Sequence, residues 1–242
     1  MIGDRESDIF EYFSYIKSQG VDAIIRSRCN RKIINAETLM WDHVSSQPLA
    51  YKVSFKVPRR PEKPSRTVEL EIKYATNLLL KKPEQVKGKY SPVGINMIHV
   101  YELDPVKSRD AISWRILTTL PITSGKEAWE IAQNYKYRWL TEEFHFILKS
   151  GCRIEKLQYR TFERYVRALT ILSEVAFELL RYKYLARIRP NLSATEYFPA
   201  DHLYVIELKI RMNNWRAPPG PMTIHTAVKT IARIGGYMAR KH

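Results

Sequence analysis

One stretch of the chain carries residue types that phosphate chemistry uses. It reads Tyr-Lys-Tyr-Arg-Trp-Leu-Thr-Glu-Glu-Phe-His from Tyr135 onward, and Lys149 follows shortly after. If the stretch is one α-helix, Tyr135, Arg138, Glu142 and Lys149 share an arc of about 60° along roughly 20 Å. A carboxylate there can hold a divalent cation, and flanking cations can hold phosphates. An ordinary salt-bridged face, with Arg138 and Glu142 paired at i,i+4, explains the same spacing, and spacing alone favours it.

The charge of the whole chain points to a polyanionic partner. There are 40 Lys and Arg against 25 Asp and Glu in 242 residues, a formal net charge of +15. Basic groups cluster at 26–32, 59–66 and 81–89. Such charge attracts nucleic acid because neutralising phosphates releases condensed counterions. Solvated basic loops are the alternative, whereas no isolated basic amphipathic helix indicates a membrane surface.

Other function classes are disfavoured by what the sequence lacks. No apolar run approaches the roughly 20 residues that cross a bilayer, and the first residues do not read as a signal peptide. Cys29 and Cys152 cannot make a disulfide framework, and the six histidines show no zinc spacing. No GxxxxGK[ST] motif implies ATP. We expect a reduced, cytoplasmic protein without membrane contact.

The first part of the chain predicts an α/β fold with an inserted antiparallel β module. A strand ending near Asp4, a helix over 8–18 and a strand over 21–28 favour a parallel sheet. Alternating segments then predict an antiparallel module, with strands at 51–57, 67–72, 95–103 and 111–119 and a turn at 58–66.

From residue 126 onward the hydrophobic period is helical. We predict helices at 126–149, 160–187, 201–212 and 223–238, separated by glycine and proline breakers.

The spacing Tyr-x2-Arg-x3-Glu-x6-Lys resembles the signature of the insertion-sequence-four group of DDE transposases. The likeness extends beyond the signature, although it is sparse between motifs. Asp4 resembles the residue at the family's strand end that carries its second catalytic Asp. Residues 24–27 resemble the family's next strand, where an Arg approaches DNA. Residues 113–117 resemble a strand whose Trp stacks on a displaced base, and the tail 231–238 resembles the family's C-terminal helix region.

The resemblance implies a ribonuclease-H-like fold and metal-dependent DNA transposition. Two Mg²⁺ or Mn²⁺ ions would be held by carboxylates, here Asp4 and Glu142. Arg26, Trp114, Tyr135, Arg138 and Lys149 would contact the DNA of the transposon ends.

Ordinary structural roles remain open for several of these residues. Asp4 could be a turn residue or helix N-cap, Trp114 and Tyr135 could be core aromatics, and Arg26 a surface charge. Asp8 is expected to cap the next helix or to pair with Arg5, and we do not count it as a ligand.

The family uses three carboxylates, and the first Asp belongs to a strand upstream of this sequence. We therefore expect an N-terminally truncated transposase, inactive alone, with a C-terminal part of the ribonuclease-H-like fold. The expected divisions are a partial core over 1–32, the β insertion over 33–118, a helical part with the catalytic Glu over 119–189, and a helical C-terminal domain over 190–242. The core sheet should contain two strands of this chain, leaving Ile24 and Ile25 facing water or a partner.

The alternative is a non-catalytic DNA-binding or dimerising remnant that could inhibit a full-length relative. In either case we expect a homodimer through the C-terminal helices and a bacterial, nucleoid-associated location.

Overall fold

A six-stranded sheet organises the first of the two units into which the chain folds. The computed structural model describes residues 1–59, 64–103 and 111–235. The units are Met1–Trp139 and Leu140–His242. The strands are β1 (Ile2–Gly3), β2 (Ile24–Arg26), β3 (Tyr51–Val57), β4 (Arg66–Leu80), β5 (Val93–Glu102) and β6 (Ser113–Thr118).

The strand order corrects one expectation. It is β1-β2-β6-β5-β4-β3, with β1 and β2 parallel and all other neighbours antiparallel. The mixed α/β class is confirmed. The expectation of a core sheet with only two strands of this chain is wrong, because β2 continues directly into the antiparallel strands through its pairing with β6. The four-part division of the chain stays a prediction.

The two faces of this sheet bury separate apolar clusters. One face packs against α1 (Phe10–Ser18) and the short α2 (Met40–Ser45), which the sequence did not predict. The other packs against α3 (Gly125–Asn134) through Ala128, Trp129, Ile131 and Ala132. Side chains alternate between the faces along each strand, so one strand supplies both clusters.

Ile24 and Ile25 correct a second expectation. They point to opposite faces of β2, and both are buried, Ile24 under α3 and Ile25 under α1. We expected them to face water or a partner because we assumed an uncovered sheet. The helices of this chain cover both faces at β2, and β1 is one of the two edge strands in the described part of the sheet.

The second unit is helical in the part of the chain that the structure describes. It contains most of α4 (Trp139–Phe146), then α5 (Phe162–Ile188), α6 (Ala200–Met212) and α7 (Ile224–Ile234). Two small clusters hold it, one around Leu148, Ile154 and Ala176 and one between α6 and α7. Residues 60–63 of the predicted turn and 236–238 of the predicted last helix lie outside the described residues. No helix among those described has the length and apolar character to cross a bilayer.

A glycine at the start of α3 allows that helix to approach the sheet edge. A Cβ on Gly125 would lie 2.4 Å from the carbonyl oxygen of Ala50, which precedes β3. Real Cβ atoms do not come so close to a backbone atom, so the helix or the strand would have to shift. The close contact seats Trp129 of α3 against Phe55 of β3, with ring centroids 5.7 Å apart.

Gly125→Ala should therefore destabilise the first unit by about 2 kcal/mol through overpacking, although alanine ordinarily favours a helix. Urea unfolding followed by tryptophan fluorescence measures the effect. Gly94→Ala is the matched control, because its Cβ would meet only ordinary contacts at 3.7 Å or more. Equal stability of the two variants would show that the approach of α3 to Ala50 is not constrained.

Candidate active site

The parallel pairing of β1 with β2 places Asp4 beside Arg26. Ile2 pairs with Ile24 and Gly3 with Ile25, so the next residue of β1, Asp4, reaches the level of Arg26. Both residues lie at the carboxyl ends of their strands. Because carboxyl ends of parallel strands meet at one sheet edge, this short ladder brings the backbones of Asp4 and Arg26 next to each other.

A tight turn holds the Asp4 carboxylate. Its Oδ1 atom accepts a hydrogen bond of 2.9 Å from the backbone N–H of Glu6, so Asp4 caps a 3₁₀ turn over Arg5–Ser7. The turn closes tightly, since a Cβ on Gly3 would lie 2.7 Å from the Ser7 side chain. The capping role considered for Asp4 is thus present, and only one carboxylate oxygen serves it.

The first half of the signature packs against these strands. Tyr135–Arg138 forms a 3₁₀ turn directly after α3 and contacts β1 and β2. Residues three apart lie on the same side of such a turn, so Tyr135 and Arg138 face the same way. Tyr135 also packs at the edge of the apolar cluster under α3, so the core packing considered for this residue is present, and its contact with DNA stays a prediction.

Positive charge is concentrated around Arg26. Burial lowers the pKa of the Arg26 guanidinium, and the neighbouring charges of Arg5 and Arg138 lower it further, whereas a hydrogen bond with Tyr135 raises it. Two further guanidinium groups therefore act on the Arg26 guanidinium beside β1 and β2. Partly desolvated like charges of this kind are stabilised by an anion. Sequence reasoning missed Arg5, although its position directly after Asp4 was a usable signal.

The single helix that we expected over 126–149 is interrupted. After α3, the chain passes through the 3₁₀ turn, then α4, then a π-helical turn over Ile147–Gly151. The rotation of 100° per residue holds only within an α-helix and does not apply across these changes. The expectation that Tyr135, Arg138, Glu142 and Lys149 share an arc of about 60° is therefore wrong. Glu142 lies on α4, in the second unit.

Lys149 has an ion-pair partner in the second unit. Its ammonium lies 2.8 Å from Glu155 Oε1, and this hydrogen bond raises the Lys149 pKa. Both side chains are more than half exposed. Because an exposed pair contributes little to stability, Lys149 can exchange Glu155 for another anion at low cost.

Trp114 lies on the same sheet face as Arg26 and Tyr135. It lies two residues before Ile116, the partner of Arg26, along β6. Its ring is half-buried and meets Phe55 edge to face, with centroids 6.1 Å apart. The core packing that we considered for Trp114 is therefore present, and its contact with DNA stays a prediction.

Asp8 does not act as we expected. The N-cap of α1 is Ile9, and Asp8 pairs with Arg31 instead of Arg5. Its fully buried carboxylate also accepts hydrogen bonds from the backbone N–H groups of Arg28 at 2.6 Å and Cys29 at 3.1 Å. Asp8 thereby fixes the loop that leaves β2, and it has no oxygen directed to a ligand at Asp4.

The donors at this site fit a divalent metal ion in part. Asp4 keeps one carboxylate oxygen that no described residue engages, at a strand end, and hard oxygen ligands suit Mg²⁺ or Mn²⁺. Among residues 1–59, 64–103 and 111–235, no three His, Cys, Asp or Glu side chains form a metal-binding group. Asp4 is therefore a candidate metal ligand, and a metal site at this position would need other ligands as well.

These features define a class: an α/β domain that presents a carboxylate and several arginines at strand ends, in a chain charged to attract a polyanion. Residues 1–174 match the family model for the transposase DDE domain. The chain thus belongs to the DDE transposase family, whose members act on DNA and generally use divalent metal ions.

The two aspartates should respond differently to the same substitution. Asp8→Asn should destabilise the first unit by about 3 kcal/mol, because Arg31 loses the buried carboxylate that compensates it. Asp4→Asn should change stability by less than about 1 kcal/mol, since asparagine caps a helical turn as well as aspartate. Urea unfolding of both variants checks the difference. A large loss in Asp4→Asn would assign Asp4 a structural role only.

Proposed function

We propose that this chain is part of a DNA transposase of the insertion-sequence-four group, which moves DNA by metal-dependent phosphoryl transfer on a ribonuclease-H-like fold. The observation that carries the proposal is the grouping of Asp4, Arg26, Tyr135 and Arg138 at the ends of β1 and β2 in a member of the DDE family. The net charge of +15 supports DNA as the partner.

In this proposal each residue at the strand ends has a defined task. Arg26 and Arg138 hold the DNA phosphate next to the reacting bond, and Tyr135 orients Arg26 through their hydrogen bond. Asp4 and Glu142 are the metal ligands that this chain supplies. Bound Mg²⁺ or Mn²⁺ would activate the attacking oxygen and stabilise the leaving one. The remaining carboxylate of a DDE site is not assigned to any residue of this sequence.

Two residues would contact DNA next to the reacting phosphate. Lys149 would exchange Glu155 for a phosphate, which its exposed position permits. Trp114 would stack on a displaced base with the part of its ring that Phe55 does not cover, since base stacking tolerates any sequence.

A homodimer through the second unit forms part of the proposal. Several large apolar side chains of α5 are exposed, among them Phe162 at 80 % and Ile171 at 64 %. Exposed apolar groups of this size are typical of protein–protein contacts. The alternative is a DNA-binding or dimerising protein without catalysis. Such a protein would share the exposed apolar side chains and the net charge, but it would not use Glu142 as a metal ligand. A bacterial, nucleoid-associated location accords with DNA as substrate.

DNA binding tests the role of the arginines. Exchanging Arg26 and Arg138 together for Gln should reduce the slope of log K against log[salt] by about two units, because two phosphate contacts are lost. The measurement is fluorescence anisotropy with a labelled duplex at several salt concentrations.

The control removes two cations elsewhere in the same unit. Lys17 has its ammonium near Gly94, and Lys126 is the second residue of α3, whose start lies beside β3 at the sheet edge opposite β1. Lys17→Gln with Lys126→Gln should leave the slope unchanged. Equal slopes for both double variants would refute phosphate binding at the strand ends.

A further inference from the structure

A row of three basic side chains crosses the sheet on the face opposite Arg26 and Trp114. Lys73 of β4 pairs with His99 of β5, and His99 pairs with Arg115 of β6, so the three side chains stand next to one another. The adjacent row on this face consists of Ala75, Met97 and Leu117, which belong to the apolar cluster under α1 and α2. Lys73 and Arg115 are the two permanent cations of the row, and they flank the His99 ring from either side.

The nearest carboxylates on this face have partners outside the row. Glu71 stands in the next row, where it accepts from Lys52 at 2.8 Å and from the Tyr101 hydroxyl at 2.6 Å. On α2, Asp42 accepts from Asn30 at 3.3 Å. No carboxylate therefore stands within the row itself.

Both cations of the row are held in position. The Arg115 guanidinium lies 4.4 Å from the centre of the Trp41 ring, and Trp41 is fixed by its 2.9 Å bond to Ser27 Oγ. The Lys73 ammonium donates to the Ser45 carbonyl oxygen at 2.7 Å. Each keeps further N–H donors, because an ammonium has three and a guanidinium has five. The donors are thus pre-oriented, which lowers the entropic cost of binding a ligand.

Two buried atoms of the row lack a hydrogen-bond partner. His99 is 9 % exposed, and its Nδ1 atom has no hydrogen-bond partner. The Nε atom of Arg115 has no hydrogen-bond partner either. The other ring nitrogen of His99, Nε2, lies 3.3 Å from Ser113 Oγ. If that hydroxyl donates to Nε2, Nδ1 carries a hydrogen and becomes a donor beside Arg115. Burial, followed by the charges of Arg115 and Lys73, lowers the pKa of His99 to about 4, so the ring is neutral at pH 7.

We propose that Lys73, His99 and Arg115 form a binding site for a phosphate group on this second face of the sheet. Two fixed cations and a neutral N–H donor match the charge and the acceptor oxygens of a phosphate. The phosphate can come from a DNA backbone or from a free phosphate. The site faces away from Arg26 and Trp114, so it does not depend on the proposed transposase activity.

The test follows the histidine side chains of the full chain by NMR at pH 7, with His99→Gln to assign the His99 signal. Inorganic phosphate should shift that signal saturably, and chloride at equal ionic strength should not. In a second arm, a saturable shift with duplex DNA that phosphate reverses identifies the DNA backbone as the source. A shift with inorganic phosphate alone identifies a free phosphate.

Variants locate the effect in the row. Arg115→Gln should weaken phosphate binding about tenfold or more, because a charge-assisted hydrogen bond is lost. Lys73→Gln does the same without disturbing the contact with Trp41. Lys56→Gln, with an exposed lysine on the same face but in a different row, should leave the affinity unchanged. The proposal is overturned by the absence of a saturable shift, by an equal response to chloride, or by equal weakening in Lys56→Gln.

Discussion

The short parallel pairing of β1 with β2 is the constraint on which the rest of the first unit depends. It is a ladder of two residue pairs, yet it sets Asp4 at the level of Arg26. So short a ladder is not stable alone, because strands need further neighbours and a covered face. The antiparallel pairing of β2 with β6 supplies the neighbour, and the buried Asp8 carboxylate holds the loop that leaves β2.

The same register decides what the two faces of the sheet can do. Alternation sends Arg26 and Trp114 to the face covered by α3, where Tyr135 and Arg138 arrive from the end of that helix. It sends Lys73, His99 and Arg115 to the face covered in part by α2. A shift of one residue in β6 would exchange Trp114 and Arg115 between the faces, so both sites depend on one register.

Local patterns predicted much of this fold, and non-local pairings account for most of what they missed. Strict alternation identified β3 at 51–57, and helical period located α5 and α6 closely. Nothing local indicated that β2 would pair with β6, about 90 residues away, or that α3 and α1 would cover Ile24 and Ile25 on its two faces. The bulge that extends β4 to Leu80, with Asn77 at φ 53°, also depends on its partner strand.

The candidate site shows the same division between local and tertiary information. Residue types and spacing around Tyr135 indicated phosphate chemistry, and Tyr135 does hydrogen-bond to Arg26, whose pKa the charge of Arg138 lowers. The helix geometry behind that spacing was wrong, since packing converts Tyr135–Arg138 into a 3₁₀ turn. Asp4 and Asp8 could not be told apart by sequence, because only the loop after β2 shows which carboxylate is enclosed.

The most direct test of the account is whether Asp4 holds a divalent metal ion. Fe²⁺ bound in place of Mg²⁺, with ascorbate and peroxide, cuts the backbone next to its ligands, and mass spectrometry locates the cuts. We predict cleavage beside Asp4 that Mg²⁺ suppresses and that Asp4→Asn abolishes, with Asp201→Asn, an exposed residue of α6, as control. Cleavage beside Asp4 that persists in Asp4→Asn, or that Mg²⁺ does not suppress, would contradict a metal site at this strand end.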